Sequence, residues 1–214
     1  MTGRIDHLRK NYSKKKLLEQ KAPGDPFKLF SKWWKQALLA EIDEVNAMTL
    51  ATASPDGVPS ARIVLLKDFN KNGFSFFTNY NSFKGRQLAE NPKACLVFFW
   101  KELERQVRVT GIITQLDTAD NDAYFATRPE ESRIGAITSP QSEVIESREW
   151  LDNEYKKTRK ALKGKEIRRP RHWGGYLVRP VIIEFWQGRP GRLHDRLQYS
   201  LEKDGTWKLE RLAP

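Results

Sequence analysis

Residues 48–116 constrain the fold most, because apolar runs of strand length follow one another there with almost no chain between them. Residues 48–53, 59–68 and 74–78 are rich in β-branched and aromatic side chains. Ser54-Pro55-Asp56-Gly57 and Asn70-Lys71-Asn72-Gly73, both turn sequences, separate them. Links this short return the chain antiparallel, since a parallel crossover needs about a dozen residues or more. A helix over 82–90, stopped by Asn91-Pro92, precedes two further strands at 94–100 and 105–116, joined by Lys101-Glu102-Leu103-Glu104. Five antiparallel strands with one intervening helix predict a mainly β, α+β fold, a barrel or a closed, curled sheet.

The flanks add helices. Residues 1–25 form a basic, polar arm, expected to be helical over 8–19 and closed by Ala22-Pro23-Gly24-Asp25-Pro26. Asp25 and Pro26 make an N-cap and N1 pair for a helix over 26–42. Phe27, Phe30, Trp34, Leu38 and Ile42 recur in it at helical spacing and read as core. Helices are expected over 117–127 with Thr118 as cap, over 132–137 and over 147–162. Trp173-Gly174-Gly175 opens a C-terminal strand, and a hairpin of 198–201 and 206–212 turns at Lys203-Asp204-Gly205. One domain over 26–214 follows, with 1–25 as a mobile arm and 172–214 as its C-terminal segment.

A net charge of +11 asks for an anionic partner, either nucleic acid or a small ligand rich in phosphate. Lys14-Lys15-Lys16 and the run over 163–171 look like solvated loops. Arg62, Lys67, Lys84, Arg105, Arg192 and Arg196 instead sit singly inside or beside apolar strands, a placement of site residues rather than of a groove-tracking stripe. The one cysteine, Cys95, lies in an apolar run and reads as a small hydrophobe, and the three histidines are too scattered for a zinc site. Dinucleotide fingerprint, P-loop, zincin and nucleophile-elbow motifs are absent. No apolar run approaches the ~20 residues of a membrane span, and the basic N-terminus lacks a signal-peptide apolar region, so the cytoplasm is the expected address.

Three clusters carry chemistry. After the strand Ile182-Ile183-Glu184-Phe185-Trp186-Gln187 and a Gly/Pro turn, the chain resumes as Arg192-Leu193-His194-Asp195-Arg196. Strand alternation puts Arg192, His194 and Arg196 on one face, which asks for an anion among them. Phe77-Thr78-Asn79 ahead of Ser82-Phe83-Lys84-Gly85 places hydroxyl, amide and ammonium groups where a strand ends and a helix begins, a natural phosphate seat. Arg62 and Lys67 bracket a buried strand; taken alone they read as strand ends reaching water. Gln106, among apolar strand neighbours, needs partners that a heterocycle supplies.

Taken together, the chain resembles the pyridoxine (pyridoxamine) 5′-phosphate oxidase family from its N-terminal arm to its last residue. The resemblance rests on Arg62 to Lys67, Phe77-Thr78-Asn79, Glu104-Arg105-Gln106-Val107, Tyr124-Phe125-x-x-Arg128-Pro129-x-x-Ser132-x-Ile134-Gly135, Gln141-Ser142, Trp173-Gly174-Gly175, Glu184-Phe185-Trp186-Gln187 and above all Arg192-Leu193-His194-Asp195-Arg196, with Arg211-Leu212-Ala213-Pro214 at the end. It implies an antiparallel, FMN-binding split β-barrel acting as a homodimer with flavin at the subunit interface, and a C-terminal dimerisation segment. It also implies oxidation of pyridoxine or pyridoxamine 5′-phosphate to pyridoxal 5′-phosphate, with O₂ reduced to peroxide and no role for a metal, membrane or nucleic acid.

Carried over by position, the resemblance implies FMN contacts at Arg62, Ile63, Val64, Leu65, Leu66, Lys67, Phe77, Thr78, Lys84, Gln106, Gln141, Ser142, Trp186 and Arg196. It implies substrate contacts at Arg9, Lys10, Asn11, Tyr12, Lys67, Tyr124, Arg128, Ser132, Arg192, Leu193 and His194, with Arg192 and His194 as the catalytic pair. One departure stands out: the family commonly has Ser-Arg-Lys where this chain has Ser82-Phe83-Lys84. Weaker flavin binding follows, unless Arg86 substitutes from one turn on. Two other readings remain at this point: a split-barrel oxidase of another aromatic, such as a phenazine precursor, and a basic nucleic-acid-binding module.

Overall fold

The computed structural model describes residues 11–214. In chain order the elements are α1 (Pro26–Leu39), β1 (Ala47–Ala53), β2 (Pro59–Leu65), β3 (Asp68–Asn70), β4 (Gly73–Asn79), α2 (Phe83–Glu90), β5 (Lys93–Trp100), β6 (Arg105–Gln115), α3 (Thr118–Thr127), α4 (Glu130–Thr138), α5 (Arg148–Leu162), β7 (Trp173–Gln187), β8 (Asp195–Leu201) and β9 (Trp207–Leu212). The strands follow the sheet order β2-β1-β5-β6-β7-β4-β3, with β8 paired to β7 and β9 to β8. The chain divides into two compact units, one of residues up to Thr49 with Cys95–Thr110 and Pro180–Pro214, the other of Leu50–Ala94 and Gly111–Arg179.

In the first unit, Asp25 caps α1 by accepting from the Phe27 N–H at 2.8 Å, and Pro26 occupies N1 where no amide is missed. Leu29, Phe30, Trp33 and Ala37 form the buried face of α1, whereas Leu38, expected in the core, is 52% exposed and the helix stops at Leu39. Trp33 packs edge-on against Phe185 at 5.2 Å. Phe98, Trp100, Val107, Leu197 and Tyr199 complete this core. Residues 182–187 of β7 pair antiparallel with β8, so that Trp186 lies opposite Arg196, and β8 pairs antiparallel with β9.

In the second unit, β4 pairs antiparallel with β3 and with residues 173–178 of β7, setting Phe77 opposite Gly175 and Asn79 opposite Trp173. Ser82 caps α2 through the Gly85 N–H at 3.3 Å. Gly85 admits the close approach of this helix to the end of β4, since a Cβ there would lie 2.1 Å from the Tyr80 carbonyl oxygen.

Several expectations need correction. The strand expected over 59–68 ends at Leu65, because Leu66 turns into the core and the Lys67 N–H then donates to the Ser75 carbonyl at 2.9 Å. Asp117, not Thr118, caps α3, its carboxylate accepting from the Asp120 N–H at 2.8 Å. No helix covers 11–18; the only helical turn there is the 3₁₀ turn Glu19–Lys21, and residues 1–10, with Arg9 and Lys10, lie outside the described residues. Residues 192–196 are not one strand. Pro190–Arg192 form a 3₁₀ turn in which Gly191 and Arg192 adopt φ of 64° and 62°, and β8 begins only at Asp195. Arg192, His194 and Arg196 therefore do not share a strand face.

Candidate functional site

The second unit encloses a cavity of about 590 Å³. Of the residues expected at the cofactor and substrate, Ile63, Val64, Leu65, Lys67, Phe77, Thr78, Lys84, Tyr124, Arg128, Ser132 and Gln141 line it. Arg62 stands behind this lining on β2, donating to the Thr52 hydroxyl at 2.6 Å and to Ser60. Leu66 is buried in the core, and Ser142 occupies an exposed turn position with φ of 73°.

One side of the cavity is a cation seat. Lys84, in the first turn of α2, is only 9% exposed, and its Nζ donates to the Thr78 hydroxyl at 3.3 Å. The same hydroxyl donates to the Gln141 side-chain oxygen at 3.3 Å. Burial, and then the nearby Arg62 charge, push the Lys84 ammonium below its ordinary pKa, and burial lowers Arg62 as well. With no carboxylate acting on either among the described residues, two cations drawn together call for an anion.

The other side is a second seat of different construction. Phe77, Tyr124 and Trp173 form a stack, with Phe77 and Tyr124 at 3.9 Å and Phe77 and Trp173 at 5.4 Å. The Arg128 guanidinium lies over the Trp173 ring, 4.4 Å from its centre. Its Nη1 is buried with no hydrogen-bond partner among the described residues, and burial lowers its pKa. A buried guanidinium N–H without an acceptor is costly, so this donor is aimed at something that the described residues do not supply. Ser132 and Gly135, one helical turn apart on α4, line the cavity near the same element boundary.

Gly135 offers a direct test of that opening. A Cβ built there meets no atom within 4 Å. Gly135→Ala is expected to stabilise α4 by about 0.5–1 kcal/mol through helix propensity. The added methyl projects where the cavity is lined, so a ligand of the cavity should bind several-fold more weakly while thermal stability increases. A lower melting temperature with unchanged ligand affinity contradicts this assignment.

The remaining expected residues that are described lie in the first unit, where Tyr12, Trp186 and His194 cluster. His194 Nδ1 accepts from the Arg189 backbone N–H at 3.1 Å, which leaves Nε2 as the protonated nitrogen of the neutral ring. Burial and the Arg192 charge lower the His194 pKa, favouring that neutral form. Trp186 lies 4.6 Å from the His194 ring, and Tyr12 stands edge-on to both. Arg192 and Leu193 are exposed, as is Asn11. Arg196 is held by Glu184, Nε to Oε1 at 2.9 Å, and by the Ala213 carbonyl at 2.8 Å. Gln106 is half-buried, whereas Gln187 is deeply buried and accepts from Arg105 Nε at 2.9 Å.

Comparison with known proteins places this geometry. A family model described as pyridoxamine 5′-phosphate oxidase matches residues 34–160. The chain belongs to this family. A second model, described as the pyridoxine 5′-phosphate oxidase C-terminal dimerisation region, matches residues 173–214. Curated relatives named pyridoxine/pyridoxamine 5′-phosphate oxidase include one from Nostoc punctiforme, 55% identical over 214 residues and all of both chains, and one from Flavobacterium psychrophilum, 51% identical over 98% of this chain and 99% of its own. Among solved structures, PhzG from Burkholderia lata 383, in complex with tetrahydrophenazine-1-carboxylic acid, is 30% identical and superposes with a TM-score of 0.88 over 94% of this chain and 100% of that one. The expected antiparallel split β-barrel with flanking helices is thereby established.

At the first cation seat, the position where an arginine was expected beside Lys84 is Phe83. Phe83 is 49% exposed at the start of α2, and Arg86, the expected substitute, spends a guanidinium N–H on the Asn81 carbonyl. Asn79, whose amide the sequence places at the phosphate seat, also lines the cavity, as do Thr127, Pro129, Ala136, Ser139 and Trp173, which had no assigned role from sequence. Asn79 and Trp173 stood inside quoted motifs; Thr127 and Ser139 carried no signal, being polar residues near helix ends like many others.

Proposed function

We propose that this chain is an FMN-dependent oxidase that converts pyridoxamine 5′-phosphate and pyridoxine 5′-phosphate to pyridoxal 5′-phosphate. The observation that carries it is one cavity with two separate cation seats, Lys84 with Thr78 and Arg62, and Arg128 with Tyr124, Ser132 and Lys67. A phosphorylated cofactor and a phosphorylated substrate are the pair that such a cavity fits. FMN, when bound, supplies the hydride acceptor, and O₂ leaves as peroxide with ammonia released from the amine.

The chain's own residues bind and orient. Lys84, Thr78 and Arg62 receive the cofactor phosphate, with Ile63, Val64, Leu65, Leu66, Lys67, Phe77, Gln106, Gln141, Ser142, Trp186 and Arg196 as further contacts. Arg128 receives the substrate phosphate. Arg192 and neutral His194 hold the pyridine ring in place, an effect of orientation. Two copies act together through the C-terminal segment, with FMN between them; the exposed Val58, Ile63 and Ile112 are apolar surface for such a contact. Residues 1–25 act as an arm to the domain over 26–214, and the working compartment is the cytoplasm. Among the described residues no helix is long and apolar enough to cross a membrane.

The likeness to PhzG gives substance to a second reading, oxidation of an unphosphorylated aromatic. The Arg128 donor, without a partner among the described residues, disfavours it, because such a substrate leaves that donor empty. Aerobic incubation with FMN and pyridoxamine 5′-phosphate tests the proposal: pyridoxal 5′-phosphate and peroxide should appear in equal amounts. Bound FMN with no turnover supports the second reading, and a colourless protein overturns both. Phe83→Arg, which restores a charged donor beside Lys84, is expected to tighten FMN binding about tenfold. An unchanged or weaker affinity by flavin-fluorescence titration places Phe83 outside the phosphate seat.

A further inference from the structure

Glu104 is a deeply buried carboxylate, 2% exposed, to which none of the roles above gives a task. It sits between the 3₁₀ turn Lys101–Leu103 and β6 with a left-handed backbone, φ 55°. Its Oε2 accepts from the backbone N–H groups of Ser13 at 2.9 Å and Lys14 at 3.1 Å. Its backbone carbonyl accepts from the Gly188 N–H at 2.8 Å and from Gln187 Nε2 at 3.1 Å. One residue therefore fastens two segments far apart in sequence, residues 13–14 by its side chain and residues 187–188 by its main chain.

Tyr12 stands immediately before the first fastening, and the turn leading to His194 begins at the second. Between them the Tyr12 ring meets Trp186 at 5.7 Å and His194 at 5.9 Å. The fit is close: a Cβ on Gly188 would lie 2.7 Å from the Tyr12 ring. We propose that Glu104 is a positioning residue that holds Tyr12 closed against the Trp186–His194 pair. Both of its side-chain bonds are charge-assisted and taken from main-chain donors, so the fastening does not depend on which side chains occupy positions 13 and 14. Farther along, the Leu17 N–H donates to Asp195 at 3.0 Å and Arg211 binds the Leu17 carbonyl and Glu19. Those ties hold residues 17–19 independently, whereas residues 14–15 have, among the described residues and besides Glu104, only two exposed bonds, Lys14 Nζ to the Glu102 carbonyl at 2.6 Å and Arg189 to the Lys15 carbonyl at 3.3 Å, so loss of the Glu104 charge loosens the stretch before Leu17 and not the rest.

Exposed Lys14, Lys15 and Lys16 make the release directly readable by trypsin. In the full-length, FMN-loaded protein, Glu104→Gln keeps side-chain volume and one acceptor oxygen while removing the charge. Cleavage after Lys14–Lys16 should accelerate about tenfold, with cleavage over 163–171 unchanged. The second readout rests on the proposed function: KM for pyridoxamine 5′-phosphate rises about tenfold while kcat stays within about twofold. Ser13→Pro deletes one of the donor N–H groups without touching the buried carboxylate, and should reproduce the local acceleration even if Glu104→Gln fails to fold. Unchanged cleavage at Lys14–Lys16, or equal acceleration at every site, overturns the assignment. A wild-type protein without turnover refutes the proposed function, and the proteolysis comparison still decides the role of Glu104.

Discussion

Replacing Arg128 by leucine is expected to lower kcat/KM for pyridoxamine 5′-phosphate by roughly a hundredfold and to leave the ligand-free protein as stable as before, or more so. Hydrogen bonds to charged groups are worth about 1.5–3 kcal/mol, and a guanidinium on a phosphate makes two. A loss near 2.7 kcal/mol is about a hundredfold. The stability expectation has the opposite sign for a structural reason. Arg128 carries a buried donor without a partner among the described residues, and burial already disfavours its charge. Leucine removes that penalty and keeps apolar contact with Trp173. Arg128→Lys should fall between, since it retains charge without the planar fork. Steady-state kinetics and thermal melts of the apo-protein check both halves. A destabilised variant with normal kcat/KM means that Arg128 serves the core.

The second large effect is expected at the other seat. Lys84→Met should weaken FMN binding by about thirtyfold or more, and the FMN-induced rise in melting temperature should shrink with it. Without ligand the variant should be no less stable, because the wild-type ammonium is buried beside Arg62. The pH dependence follows from the same shift. An ammonium whose folded pKa is depressed binds fewer protons in the folded chain than in the unfolded one. Its contribution to stability therefore rises with pH from the depressed value up to the ordinary 10.5. Chemical denaturation across that range should show a slope in wild-type apo-protein that Lys84→Met lacks. Equal FMN affinity in the two proteins contradicts a phosphate role for Lys84.

What was legible in the sequence was local or alternating. Asp25-Pro26 and Ser82 cap their helices because a cap is decided within three residues. The short Asn70–Gly73 turn forces β3 and β4 antiparallel for an equally local reason. The meeting of Thr78 and Lys84 was visible because they stand six residues apart, one at the end of β4 and the other at the start of α2. The failures share a cause, since tertiary contacts override period. Strand alternation through Arg192 to Arg196 is broken by left-handed Gly191 and Arg192, and a glycine followed by a charged residue does not announce that break. Glu104 and Glu184 are buried because one accepts main-chain amides and the other pairs with Arg108 and Arg196. A charged residue in a strand sequence reads as exposed, and only the partners, tens of residues away, reverse that default.

The most direct test of the central claim, that two phosphate seats define cofactor and substrate, is anaerobic mixing of the FMN-loaded protein with one equivalent of pyridoxamine 5′-phosphate. The visible flavin band should bleach completely and yield one equivalent of pyridoxal 5′-phosphate. Pyridoxamine lacking the phosphate should bleach it at least a hundredfold more slowly at the same concentration. Equal rates with the two amines, or no bleaching by the phosphorylated one, would contradict the account.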